Sequence, residues 1–164
     1  MKISILLPYK ENFSPIYPGA VSLFVNDTTK LSKYKKDITI FGNTNFNQTF
    51  KLKYENINLK KNVFRSLSKQ YVIEFVKKEK KNNSSLIEIH NRPNYLKYLL
   101  LNLVDRTYAL YFHNDPLTMT GSKSIKDRIF LLNNCFKIIF NSNWSKKRFL
   151  EGMQNKFVNS EKLI

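Results

Sequence analysis

The sequence predicts an α/β fold, a Rossmann-like parallel sheet with helices on both faces, and three observations carry that expectation. Short runs rich in Ile, Phe and Tyr recur at 3–7, 37–41, 86–89, 108–112 and 136–140. The runs are apolar on both sides, as strands covered from both faces must be. Segments of helical length lie between them, so strand and helix alternate in the manner of βαβ units.

The run 3–7 begins almost at the first residue and is closed by Pro8. A loop carrying Pro15, Pro18 and Gly19 follows, and then Ala20, Leu23, Phe24, Thr28 and Leu31 recur at helical spacing. They predict a first helix with that side toward the sheet. The second run, 37–41, is closed by Gly42; the Asn-rich stretch 43–47 reads as a loop and 50–54 as a further short strand. Phe64, Leu67, Tyr71, Val72, Phe75 and Val76 form a helical stripe whose other faces carry Arg65, Lys69, Lys77, Lys78, Lys80 and Lys81. After the strand 86–89, Pro93 suits the first turn of a helix that runs to about Val104. The strand 108–112 precedes a helix over 125–133, with Ser124 and Asp127 placed as a capping box. The strand 136–140 and a helix over 143–153 complete the alternation. Lys162, Leu163 and Ile164 read as the start of one more strand, and an ending inside a strand suggests a fragment.

The 164 residues suffice for one domain, burying roughly 70% of the surface the unfolded chain exposes. Hydrophobic residues make up 42% and charged residues 24%, ordinary for a globular chain. The balance of 28 Lys and Arg against 12 Asp and Glu leaves +16, which favours an acidic partner: nucleic acid, an anionic membrane face or phosphorylated ligands. A compositional account stands beside it. Lys, Asn, Ile, Phe and Tyr share AT-rich codons, and the lysines are spread along the chain. Nucleic acid is not an expected partner. Only five of the 28 basic residues are Arg, the residue that most often reads guanine, and no RNP, zinc-finger or arginine-rich pattern is present.

Cys135 is the sole cysteine, so no internal disulfide or CxxC site can form, and its apolar flank points to a buried structural thiol. The first apolar run is too short for a secretory signal and no run approaches a membrane span, so a cytoplasmic location is expected. Gly19 stands outside any G-x-G-x-x-G, and no two aspartates are two apart. These absences speak against a dinucleotide site and against a metal-dependent single-domain transferase. No metal and no cofactor is expected.

Ligands of open α/β sheets bind beyond the carboxyl ends of the strands, so the residues there are the informative ones. They are Tyr17-Pro18-Gly19-Ala20, His90-Asn91-Arg92-Pro93, His113-Asn114-Asp115-Pro116 and Asn141-Ser142-Asn143-Trp144. Both histidines of the protein fall in this set.

The order of a strand, a Gly loop and a helix, then IEIHNRP at 87–93, LYFHNDP at 110–116 and IIFNSNWSKKRFL at 138–150, resembles the N-terminal domain of family four GT-B glycosyltransferases. The resemblance covers essentially the whole chain. It implies the acceptor-side half of a two-domain enzyme, with the donor-binding domain absent from this chain. Such enzymes transfer sugar from a UDP-, GDP- or ADP-sugar with retention of configuration and usually without metal. Their acceptor is a saccharide or a lipid-linked one, as in envelope polysaccharide or lipopolysaccharide assembly. Carried over by position, Gly19 and Ala20 would offer backbone N–H groups at a helix N-terminus to the donor diphosphate. His113 would bond a hydroxyl of the transferred sugar as the catalytic-site histidine, beside Asn114. His90, Asn91 and Arg92 would line the acceptor side. The commonest pattern has two adjacent glycines in the first loop, and Ala20 replaces the second. The paired glutamates of the family's second domain are not in this chain, which by itself should be inactive.

Plainer readings stand beside these. Gly19 also reads as a turn glycine, His90 and His113 as hydrogen-bonded structural residues, and Arg92 as a solvated charge. Asp115 and Ser142 read as helix N-caps rather than as an acid and a nucleophile. Trp144 and Phe149 read as packing residues. The basic helix over 64–81 reads either as an ordinary sheet-covering helix or as a peripheral contact with an anionic membrane. Two further function classes remain open: a non-catalytic sugar-binding relative of the fold and a basic nucleic-acid-binding protein.

Overall fold

The apolar runs become six strands: β1 (Ile3–Leu6), β2 (Ile38–Gly42), β3 (Tyr54–Asn56), β4 (Leu86–His90), β5 (Thr107–Phe112) and β6 (Lys137–Phe140). The structure is a computed structural model that describes residues 1–59, 66–154 and 160–164. All five pairings are parallel, in the spatial order β3-β2-β1-β4-β5-β6. Parallel neighbours need crossovers. These are α1 (Ala20–Leu31) after β1, α2 (Leu67–Asn82) after β3, α3 (Tyr95–Asn102) after β4 and α4 (Ile125–Asn134) after β5, with α5 (Asn143–Leu150) following β6. The strand order reverses at β1, which has β2 on one side and β4 on the other. That reversal opens a crevice at the carboxyl edge between β1 and β4.

The core is two layers divided by the sheet. Leu6, Phe41, Ile87, Ile89, Leu110, Phe112 and Ile138 pack with Tyr71 and Phe75 of α2, Leu96 and Leu99 of α3, Leu131 of α4 and Phe149 of α5. Ile3, Ile5, Leu7, Ile38 and Ile40 pack with Val21 and Val25 of α1 and with Phe13. Helices therefore cover both faces, unequally: α1 alone on one side, the others opposite. The buried Tyr71 hydroxyl donates to the Leu7 carbonyl at 2.9 Å, fixing α2 beside the point where the chain leaves β1. At the opposite edge of the sheet the buried Glu79 carboxylate accepts from Ser84 N–H at 2.8 Å and from the Ser84 hydroxyl at 2.5 Å. It also bonds Ser4 and lies 3.8 Å from Arg106 Nε, closing the amino-terminal side.

The first helix is turned relative to its expected stripe. Ala20, Leu23, Phe24, Thr28 and Leu31 are exposed, and the inward residues are Val21, Ser22, Val25, Asn26 and Thr29. The sheet beneath offers room for short branched side chains, and Val21 with Val25 fills it, so position outweighs apolar size. The expected strand at 50–54 forms instead at Tyr54–Asn56. The second helical stripe is buried at Tyr71, Val72, Phe75 and Val76, whereas Leu67 is exposed; Phe64 and Arg65 lie outside the described residues. The helix expected to reach Val104 stops at Asn102, and the one expected to reach Met153 stops at Leu150. Of the two aromatic residues expected to pack, Phe149 is fully buried but Trp144 is 58% exposed, with the Arg148 guanidinium 6.0 Å from its ring. Ser145 and Phe149 are the inward residues of this two-turn helix, and Trp144 is not on their face.

Other expectations hold. Ser124 and Asp127 form a reciprocal capping box. Ser142 caps α5 by accepting from Ser145 N–H, and Asp115 caps a short 3-10 turn, Pro116–Thr118, by accepting from Leu117 N–H. Cys135 is buried, and burial pushes its thiol up to about 12, out of the reactive range. Leu163 bridges Ile138 in parallel, so the last residues extend the sheet beyond β6. Among the described residues, no helix is long and apolar enough to cross a membrane.

Candidate functional site

A cleft of about 320 Å³ opens at the crevice between β1 and β4, lined by Glu11, Ala20, Asn91, Arg92, His113, Asn114 and Asn141, among others. Five of the seven sequence-selected residues, Ala20, Asn91, Arg92, His113 and Asn114, line it; Gly19 is the residue before Ala20, and His90 is buried and bonded to His113.

His90 is the last residue of β4 and His113 the first beyond β5, so the parallel register brings them together. His90 Nδ1 and His113 Nε2 are 2.9 Å apart, a hydrogen bond that takes one proton between two rings. His90 is 1% exposed and stacks on Tyr111, centroids 4.5 Å apart and planes within 7°. Its Nε2 has no hydrogen-bond partner and lies 3.8 Å from Glu88 Oε2. A bare lone pair facing a carboxylate is unfavourable, so Nε2 carries the proton of His90 and Nδ1 accepts from His113 Nε2–H. His113 Nδ1 is then the ring nitrogen left for a ligand, and it is an acceptor. Burial, with His90 as a second cause, lowers the His113 pKa to about 4, so the ring is neutral at physiological pH. Phe24 of α1 meets the His113 ring edge-on at 4.9 Å.

The loops are tied to this pair. Asn91 holds a left-handed backbone at φ 53°, a conformation that asparagine tolerates. Its Oδ1 accepts from His113 N–H at 2.8 Å and its own N–H donates to the Tyr111 carbonyl at 2.9 Å. Asn141 Nδ2 donates to the His113 carbonyl at 2.8 Å. Arg92 donates to the Asn91 carbonyl at 2.8 Å and is half-buried, so it is not simply a solvated charge. Asp115 is engaged by Leu117 N–H at 3.0 Å and by Arg148 at 3.2 Å, which leaves it a cap rather than a free acid.

The amino terminus of α1 is occupied from within. Gly19 is its N-cap with no side-chain cap of its own, and Glu11 Oε1 accepts from Ser22 N–H at 3.0 Å. A Cβ on Gly19 would lie 1.9 Å from Glu11 Oε1. Gly19 has φ −75° and ψ 155°, which any residue adopts. The glycine thus makes room for the close approach of a carboxylate and is not needed by the turn. The electropositive helix end is an anion site, and a side chain fills it.

Glu11, Phe24, Tyr111 and Asn141 belong to the site and were not selected as ligand-contacting residues from the sequence. Glu11 carried one signal: it is the only acidic residue in the first 26. Tyr111 could have been found from strand register, since it pairs with His90 across β4 and β5. Among the described residues, no three His, Cys, Asp or Glu side chains converge on a point that could hold a metal ion.

No protein-family model matches the sequence, and no curated protein matches it. Solved structures do share the fold. The crystal structure of HepE from Anabaena in complex with UDP-glucose superposes with a TM-score of 0.63 at 17% identity, over 100% of this chain and 43% of that one. The HepE complex with UDP and glucose gives 0.64 and the complex with UDP gives 0.62, with the same identity and coverage. The chain therefore has the fold of one part of HepE and spans less than half of its length.

Proposed function

We propose that this chain is the acceptor-side, N-terminal domain of a nucleotide-sugar-dependent glycosyltransferase whose donor-binding domain lies outside it. The observation that carries this reading is the coupled His90–His113 pair at the switch-point cleft, beside the α1 terminus, in a fold shared with a protein that binds UDP-glucose. In this reading a UDP-, GDP- or ADP-sugar lies across the cleft with its diphosphate at the backbone amides of Gly19 and Ala20, displacing Glu11. His113 Nδ1 accepts a hydrogen bond from a hydroxyl of the transferred hexose and fixes that ring, with Asn114 beside it. His90 holds the tautomer of His113, and Asn91 and Arg92 line the side from which a saccharide or lipid-linked acceptor enters. Retention of configuration and a place in envelope polysaccharide assembly belong to the same proposal, as does peripheral contact with an anionic membrane through residues 64–81.

The test uses the full-length protein with a panel of UDP-, GDP- and ADP-sugars, wild type beside His113→Ala. Nucleotide release from one donor, reduced by about two orders of magnitude in the variant, is the expected result. Unchanged release in His113→Ala removes the histidine from the mechanism. No release from any donor favours the second reading, a non-catalytic sugar-binding relative. Glu11 is the specific observation behind that alternative, because a carboxylate already fills the place a diphosphate would take.

A further inference from the structure

A second cleft, of about 290 Å³, opens on the same carboxyl edge at the ends of β2 and β3. Asn43, Asn45, Asn56 and Asn58 line it, with Tyr9 and Thr44. A chain of charge +16 brings no charged side chain to this cleft among its described lining residues. The described lining offers amide and hydroxyl groups rather than charges.

The amides are held in place by one another. Asn56 Oδ1 accepts from Thr44 N–H at 2.9 Å and from the Tyr54 hydroxyl at 3.0 Å, while its Nδ2 donates to Asn58 Oδ1 at 2.7 Å. Asn43 Nδ2 donates to the Ile57 carbonyl at 2.9 Å. These bonds use both ends of Asn56 and one end each of Asn43 and Asn58, and leave Asn43 Oδ1, Asn58 Nδ2 and both ends of Asn45 for a ligand. Acceptors and donors so interleaved match hydroxyl groups, each of which donates one bond and accepts others. Phe46, which follows the lining residue Asn45, stacks on Tyr17 with centroids 6.3 Å apart, and Tyr17 is 82% exposed with φ 49°, an unusual backbone for a bulky residue. Phe46 N–H donates to the Thr44 hydroxyl, which joins the aromatic pair to the cleft. An exposed flat ring beside amides offers the apolar C–H face of a pyranose something to cover.

Among the described residues, the segment from Pro8 to Asn12 lies between this cleft and the histidine cleft. Tyr9 lines one and Pro8 and Glu11 the other, and the Asn12 side chain reaches Thr44 Oγ1 at 3.5 Å. We infer that the asparagine cleft binds the uncharged saccharide portion of the acceptor and directs its reacting hydroxyl over Pro8 toward His113. The inference rests on the glycosyltransferase reading for the direction of transfer, but its binding claim stands separately.

The experiment is ¹⁵N–¹H shift mapping of the full-length protein, titrated with maltotriose and cellotriose as neutral probes and with inorganic phosphate and N-acetylneuraminic acid as anionic ones. Side-chain amide shifts of Asn45 and Asn58 with a neutral probe are expected. In the double variant Asn45→Ala/Asn58→Ala, affinity falls about tenfold, the loss of one or two hydrogen bonds. Both asparagines are exposed, and an otherwise unchanged spectrum shows that the variant folds. No shift at these residues with either neutral sugar, shifts with the anionic probes alone, or shifts that survive the double variant overturn the inference. A parallel titration with UDP-glucose separates the two failures. Shifts at Gly19 and His113 without a neutral-sugar response sink the asparagine cleft alone. A neutral-sugar response, with no UDP-, GDP- or ADP-sugar bound or turned over by the full-length protein, sinks the transferase reading and leaves a sugar-binding site.

Discussion

Substituting Gly19 by alanine should change sign with the residue at position 11. In the wild-type chain the new methyl lies 1.9 Å from Glu11 Oε1, so the carboxylate must leave. The backbone itself does not object, since φ −75° and ψ 155° suit alanine. What is lost is one charge-assisted bond to Ser22 N–H at a half-buried helix end, worth about 1–2 kcal/mol. Against it stands the reduced entropy of the unfolded chain when glycine becomes alanine, about 0.4–1 kcal/mol. Gly19→Ala alone therefore destabilises by up to about 1.6 kcal/mol, with a midpoint of about 0.8 kcal/mol. In a Glu11→Ala background the bond is already gone, and the same substitution stabilises by about 0.4–1 kcal/mol. The four proteins of the cycle are compared by urea unfolding and by melting temperature, where about 1 kcal/mol corresponds to 2–4 °C for a chain of this size. A cycle that is additive within about 0.5 kcal/mol means that Gly19 and Glu11 do not share the helix terminus, and the account of Gly19 fails.

Three further outcomes follow from the same structure. His113 has a folded-state pKa of about 4 against 6.5 for a free histidine, so the unfolded chain binds the extra proton between those values. Stability is complete above pH 6.5 and falls as pH drops toward about 4, and His113→Gln should flatten this window in pH-dependent urea titrations; an unchanged slope assigns the window to another group. Glu79→Ala leaves Ser4, Ser84 and Arg106 without their shared acceptor in a fully buried site, and should cost about 3–5 kcal/mol in chemical unfolding; a cost below about 1 kcal/mol shows that the network contributes little. If the lysines of α2 dock on a membrane, the chain binds anionic vesicles with a contribution of about 1 kcal/mol per lysine near the surface that salt removes. Binding no stronger than to neutral vesicles leaves those lysines as a solvated face.

The sheet was legible in the sequence because its inner strands are buried from both sides, so Ile3, Ile5, Ile38, Ile40, Ile87 and Leu110 stand out without reference to a partner, whereas the half-exposed edge strand β3 was misplaced. The face of α1 was not. Its stripe was assigned by apolar size, but Ser22, Asn26 and Thr29 are buried while Leu23 and Leu31 are exposed, and that choice is made by the sheet below. The place of the site was legible for a topological reason: carboxyl ends of parallel strands collect on one edge, so His90 and His113 had to be neighbours. Their mutual bond, and the use of the Asn91 side chain to hold His113 rather than only to face a ligand, depend on the turn after β4 adopting φ 53°. Glu11 was illegible because its role is set by a loop that doubles back eight residues later, and no local pattern encodes that return.

The Glu11 contact also makes ligand binding and stability two readings of one equilibrium. A helix terminus has room for one anion, so a diphosphate bound at Gly19 and Ala20 must first release the carboxylate and forgo its roughly 1–2 kcal/mol. Affinity in the wild-type protein is then lower by about 5–30-fold than the empty terminus would give. Glu11→Gln, which keeps the volume and removes the charge, should tighten UDP-glucose binding within that range while lowering the melting temperature; calorimetric titration of the full-length protein reads the first consequence and a thermal melt of the same preparation reads the second. Tighter binding with lower stability is the signature of competition for the α1 terminus. Lower stability with unchanged affinity means that the diphosphate, wherever it binds, never meets Glu11, and the assignment of Gly19 and Ala20 as donor-binding residues falls.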